Sequence, residues 1–247
     1  MKIAVVTTLS AKLYDEYGYK FFETYNWPFD LFVYSEDISK IPQKDVVIKN
    51  IFNQVPQCKE FIYRNKNKPV KNTGNGYLHD AVRFCYKVYS YTDQIIFNDN
   101  YEGLICIDAD SIFYNPINVN FIKQEIHKDD CMMSYLGRGL VYSECGFLYF
   151  NLKHKDTLDY AKFMQNMYNT DSVYNLAEYH DSYVWDYARE KFQYERGTLN
   201  NNIGDGMPGH VQARSVLGEF YDHIKGPGRK KILRSPESRI KKFFRSI

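Results

Sequence analysis

Leu104-Ile105-Cys106-Ile107-Asp108-Ala109-Asp110 is the stretch that decides how this chain is read. Four apolar residues run into two carboxylates one residue apart, the pattern of a buried strand ending at a polar edge. Residues i and i+2 of a strand project to the same side, so Asp108 and Asp110 can converge on one cation. Hard oxygen ligands suit Mg²⁺ or Mn²⁺, ions that usually also engage a substrate's phosphates. Two carboxylates after a strand can also simply cap the next turn, so the rest of the chain must arbitrate. An EF-hand loop is disfavoured, because Ile112 and Phe113 stand where that loop needs an oxygen ligand and a glycine. A phosphatase with a nucleophilic Asp would carry its D-x-D on the first strand, whereas this one lies near the middle of the chain.

Upstream, Lys2 to Thr8 (KIAVVTT) reads as a first buried strand, 14–25 as a helix, Asp30 to Tyr34 as a second strand and Val46 to Ile48 as a weak third. Alternating strands and helices argue an α/β domain with a mainly parallel sheet. Ligands of such sheets bind beyond the carboxyl ends of the strands, where Thr7, Thr8, Glu36 and Asp108 fall. The expectation is a Rossmann-like nucleotide-binding half without a G-x-G-x-x-G fingerprint.

Residues 64–76 are polar, basic and glycine-containing, and read as a loop. A helix is expected from about His79 to Tyr91, with Val82, Cys85 and Tyr89 as its buried stripe. Asp80, Arg83 and Lys87 then share another face, either as a surface charge pair or with Arg83 and Lys87 beside a nucleotide. Downstream, 118–126 reads as a helix, Cys131 to Tyr135 as a strand, 136–139 as a loop and Glu144 to Asn151 as another buried strand. Gly146 in that strand allows close backbone approach. An amphipathic helix is expected over 156–168, and a second one opens at His180-Asp181-Ser182, where Asp181 is placed as an N-cap would be.

Tyr221-Asp222-His223-Ile224-Lys225-Gly226-Pro227-Gly228-Arg229-Lys230 has the chemistry of a diphosphate clamp. His223 can ligate a metal, Lys225 and Arg229 can neutralise phosphate charge, and Gly226 lets the backbone come close. A basic turn before a tail would look similar. From Ser235, Ile240, Phe243, Phe244 and Ile247 form a helical stripe among basic residues, able to dock on the domain, a membrane surface or nucleic acid.

At 247 residues the chain can bury one sizeable core. Nine Lys/Arg and one Glu in 225–247 give that segment +8, which leaves −6 on residues 1–224 of a chain whose net charge is +2. A basic end on an acidic body suggests an anionic partner near the C-terminus. Five cysteines without a C-x-x-C pair, an N-terminus too short in apolar residues for a signal peptide, and no run near the ~18 apolar residues of a membrane span suggest a cytoplasmic protein.

With CIDADS and HIKGPGRK both in view, the chain resembles GT-A-fold glycosyltransferases. Its layout is similar to the glycogenin-like family 8, in which a D-x-D pairs with a late His-x-x-Gly-x-x-Lys element. LHDAVRFCYK, SECGFLYFN and YHDSYVWD also look like segments of bacterial and phage glycosyltransferases. Here Gly follows His by three positions with a Lys between, a departure from the family 8 spacing. The resemblance implies a GT-A domain over 1–231 followed by a basic amphipathic helical tail over 232–247. It implies Asp108, Asp110 and His223 as ligands of Mn²⁺ or Mg²⁺, and Lys225 and Gly226 as diphosphate contacts. Arg229 joins them as a phosphate neutraliser, while Thr7, Thr8, Arg83, Lys87 and Ala109 are expected around the nucleotide-sugar donor. Asp181 and Glu144 are the candidates for a catalytic carboxylate. The acceptor is expected to be a glycan or lipid-linked sugar, with the tail at a membrane, or a hydroxymethylated pyrimidine of phage DNA. A metal-dependent phosphohydrolase and a non-catalytic nucleotide- or carbohydrate-binding protein are the competing expectations.

Overall fold

The computed structural model describes residues 1–42, 45–68 and 76–224. Strand β1 (Ile3–Thr8) lies between β2 (Asp30–Ser35) and β4 (Gly103–Ile107), and β3 (Val46–Asn50) extends the sheet beyond β2; all three pairings are parallel. Strand β7 (Val141–Asn151) runs antiparallel to β4, β6 (Cys131–Arg138) antiparallel to β7, and β8 (Leu199–Asn202) parallel to β6. The seven strands stand in the order β3-β2-β1-β4-β7-β6-β8. The sheet is therefore mixed, with a parallel half that carries the strand ends and an antiparallel extension beside it.

Both faces are covered, which explains the continuous apolar runs in β1 and β4. Ala4, Val6, Leu104 and Cys106 face one layer of the core, built on helices Pro56–Asn65, Ala81–Phe97, Thr157–Asn169 and Asp181–Arg196. Ile3, Val5, Ile105 and Ile107 face the other, under the helical stretch 11–24 and the segment 119–126. Period-2 alternation thus splits each central strand between two cores. Among the described residues no helix is long and apolar enough to cross a membrane.

A second, two-stranded sheet decides the site. β5 (Ser111–Phe113) follows the carboxylate pair directly, and β9 (Tyr221–His223) returns antiparallel to it with Ser111 opposite His223. Phe113 anchors this small sheet in an aromatic cluster, its ring 4.9 Å from Trp27, 5.0 Å from Phe21 and 5.1 Å from Tyr25, with Trp27 also 5.4 Å from Tyr221. Such edge-on contacts each add to the burial term, so part of the aromatic richness is structural.

Several boundaries differ from the sequence expectation. The expected loop 136–139 continues β6 as far as Arg138, because a register shift in the β6–β7 pairing accommodates the glycine-rich stretch. The expected loop 64–76 begins inside a helix, with Arg64 and Asn65 both tied to Asp171. The helix expected over 79–91 starts at Ala81, capped by the Asp80 carboxylate accepting from the Arg83 amide, and runs on to Phe97. Helix Asp181–Arg196 has His180, not Asp181, at its N-cap, and closes on Gly197 at φ 66°, where a left-handed turn favours glycine. The tail 232–247 lies outside the described residues.

Candidate active site

Asp108 and Asp110 emerge at the carboxyl edge of β4, and the β5–β9 pairing brings His223 back to them across more than a hundred residues. The Ile224 amide donates to the Asp110 carbonyl at 2.7 Å, which fixes the register locally. His223 Nε2 lies 2.9 Å from Asp110 Oδ1 and 3.7 Å from Asp108 Oδ2. The three side chains offer one ligand atom each, all within 4.8 Å of one another. Two carboxylates and one imidazole at that spacing are an O,O,N donor set suited to Mn²⁺ or Mg²⁺, so the residues fit a divalent cation.

The electrostatics tell the same story. Burial works to lower the His223 pKa, but Asp110, through charge and a hydrogen bond, together with Glu144 and Asp108 raises it to about 10. The pocket thus demands positive charge, and without a cation the imidazolium supplies it. Burial raises the Asp108 carboxyl, against the opposing pull of Lys87 and His223. Gly146 forms the floor: a β-carbon there would fall 2.8 Å from His223 Cε1 and 3.0 Å from its Cγ, too close for any side chain.

Behind the triad, Glu144 Oε1 sits 3.4 Å from His223 Nδ1 and accepts from the Gly146 amide at 3.1 Å, while Arg138 Nη1 holds its other oxygen at 3.3 Å. On the opposite flank, buried Lys87 donates to the Cys145 carbonyl at 2.6 Å and lies 2.7 Å from Asp108 and 2.8 Å from Asp181. Burial opposes that ammonium, yet Asp108 and Asp181 hold its pKa well above the ordinary lysine value. Asp181 also accepts from the Ser182 amide at the first turn of its helix.

Of the expected site residues, Asp108, Asp110, His223, Glu144, Lys87 and Asp181 come together. Ala109 is buried between the two carboxylates. Thr7 is fully buried at the end of β1, and Thr8 beside it donates its hydroxyl to the Tyr34 carbonyl. Arg83 is exposed one helical turn before Lys87. Lys225, Gly226 and Arg229 lie outside the described residues.

Two residues escaped the sequence reading. Tyr17 sits in a π-helical turn, Tyr14–Gly18, a distortion frequent at functional sites. Burial raises its hydroxyl pKa, and Asp110 and Asp108 add to the rise, so it faces the carboxylate pair. No sequence periodicity signals such a turn. Arg138 was hidden because its glycine-flanked context reads as a loop.

No protein-family model and no curated protein matches this sequence. Solved structures do. Mouse xyloside xylosyltransferase 1 in its apo form superposes with a TM-score of 0.51 at 10% identity, over 83% of this chain and 86% of that one. A glycosyltransferase involved in glycosylation of the major capsid of PBCV-1 gives 0.45 at 8% identity, over 95% and 99%. GlyE of Streptococcus pneumoniae TIGR4 gives 0.43 at 13% identity, over 81% of this chain but 45% of that one. The first of these likenesses, together with the strand order, shows a GT-A-like fold.

Proposed function

We propose that this chain is a glycosyltransferase that moves a sugar from a nucleoside diphosphate donor to a hydroxyl, with a divalent cation held by Asp108, Asp110 and His223. One observation carries the reading: in a GT-A-like fold, these three ligand groups converge within 4.8 Å at the edge where the parallel strands end.

The chemical problem is the departing diphosphate, on which negative charge builds. A bound divalent ion would supply Lewis-acid stabilisation of that charge. The chain's own residues prepare the site around it. Glu144, only 4% exposed at its side chain, orients the His223 ring and is in turn fixed by Arg138. That enclosure supports a positioning role for Glu144. Asp181, at 17%, is the more accessible carboxylate. The Lys87 ammonium and the Ser182 amide hold it as an anion aimed beside Asp108, suited to binding a sugar hydroxyl or receiving its proton. Lys87 links the two carboxylates and so ties the metal-binding side to the sugar-facing side. Tyr17 and Arg83 are close enough to interact electrostatically, and with Thr8 at the end of β1 they would suit the nucleoside end of the donor.

The charge of −6 on residues 1–224 favours a neutral sugar acceptor over a polyanion such as DNA. A basic tail over 232–247 resting on a membrane remains part of the proposal on sequence grounds alone. The test is thermal unfolding with UDP, GDP, CDP and ADP, each with and without Mn²⁺, on wild type and Asp110→Ala. A ligand at 100 times its Kd adds about 2.7 kcal/mol of apparent stability. A Mn²⁺-dependent rise with one nucleotide, lost in Asp110→Ala, is expected. No rise with any of the four would remove the donor site, and with it the transferase reading.

A further inference from the structure

Beside the carboxylate end of the site stand three tyrosine rings that neither core uses, packed around a buried histidine. Tyr142 lies at the start of β7, Tyr77 in the turn Gly76–His79, and His180 and Tyr183 at the head of helix Asp181–Arg196. The Tyr142 ring centroid is 5.1 Å from that of His180 and 5.2 Å from that of Tyr183, and Tyr77 is 6.1 Å from His180. These three segments are distant in sequence, so the cluster is assembled by the tertiary fold. Tyr77, Tyr142 and Tyr183 belong to neither core cluster, and Tyr77 and Tyr142 remain 51% and 37% exposed, while His180 is the buried ring they pack against.

A polar group is built into the same place. Glu178 Oε2 lies 3.0 Å from His180 Nε2, and burial together with the nearby Glu178 charge raises the pKa of the Tyr142 hydroxyl. The patch is joined directly to the chemistry. His180 Nδ1 lies 4.0 Å from Asp181 Oδ1, and Asp181 reaches Asp108 through Lys87. Tyr142 stands two residues before Glu144, which lies against His223.

We infer that the exposed rings of Tyr142 and Tyr77, packed with Tyr183 around the buried His180, form an acceptor subsite that stacks one neutral pyranose ring beside Asp181. This rests on the sugar-transfer reading above and names its acceptor class as a glycoside. The physical basis is complementarity. One face of a pyranose is lined with C–H groups, which match the negative faces of aromatic rings, while its hydroxyl edge matches a carboxylate such as Glu178. A nucleobase also stacks on tyrosine, but its backbone phosphates would meet Glu178 and Asp181 at close range, which opposes nucleic acid here.

The experiment measures binding of methyl glycosides of xylose, glucose and galactose, and of a short single-stranded oligonucleotide, by ligand-observed NMR. The proteins are wild type, Tyr142→Ala and Tyr142→Phe, with the Mn²⁺-dependent nucleotide shift recorded on each as a check of fold and donor site. One glycoside should bind wild type, weaken on the order of tenfold in Tyr142→Ala, and recover in Tyr142→Phe, which keeps the ring. Equal affinity in all three proteins, no glycoside binding to wild type, or binding of the oligonucleotide in place of a glycoside would each overturn the inference. Failure of the nucleotide shift in wild type would instead strike the donor reading, and the glycoside titration would still report on the patch by itself.

Discussion

Replacing Gly146 by alanine tests the metal site through a residue that offers no ligand. Its backbone lies in a strand and is not in the left-handed region, so alanine carries no conformational penalty there. The whole effect should come from the methyl group. It would lie 2.8 Å from His223 Cε1 and 3.0 Å from Cγ, against ordinary contact from 3.4 Å, and nearer still to Nδ1. The imidazole must therefore retreat by on the order of 1 Å, a displacement that can cost about a hundredfold where geometry is exacting. It cannot do so and keep the 2.9 Å approach of Nε2 to Asp110. Overpacking should also lower stability by roughly 1–3 kcal/mol. The assay is Mn²⁺ titration by calorimetry, paired with urea unfolding, on wild type, Gly146→Ala, His223→Ala and the double variant. Mn²⁺ affinity is expected to fall in Gly146→Ala, and the added methyl should cost almost nothing once the His223 ring is gone. Full Mn²⁺ affinity in Gly146→Ala, or additive losses in the double variant, would refute the steric argument and the place of His223 among the ligands.

Lys87→Met removes the buried ammonium between Asp108 and Asp181. Breaking a buried ion pair from one side costs about 3–5 kcal/mol, and the partial exposure of both carboxylates sets the expected loss near the lower end. Mn²⁺ should restore more stability to the variant than to wild type, since the ion answers the same Asp108 charge; unchanged urea midpoints would contradict this. A second outcome concerns pH in the metal-free protein. The folded His223 pKa of about 10 lies above the ordinary 6.5, so its stabilisation is fully present below pH 6.5 and is lost as pH rises through 10. The Tm of wild type should fall across that window and that of His223→Gln should fall less, as followed by circular dichroism; parallel profiles would show that His223 does not carry this linkage.

The parts of the site that were legible in sequence are those whose chemistry is carried by residue type at a strand end. A run such as LICI followed by two carboxylates announces both the buried strand and the edge, because burial on two faces and a sudden change of polarity leave few other solutions. His223 was legible as a donor, but its partner was not, since nothing local reveals that β9 pairs with β5 and sets Ser111 opposite His223. Lys87 marks the limit more sharply. Helical periodicity placed it with Asp80 and Arg83 on a charged face, and Arg83 does remain exposed there. Lys87 is one turn further along, under the edge of the sheet, where two carboxylates and the Cys145 carbonyl replace water around its ammonium. A lysine is buried when partners compensate it, and those partners come from β4, β7 and the helix at Asp181, three elements no single window contains. The same reasoning explains Tyr142, an unremarked aromatic until the fold set its ring 5.1 Å from that of His180, the neighbour of Asp181. What the sequence conceals is therefore the compensation between elements, and in this chain compensation is what turns separate charged residues into one site.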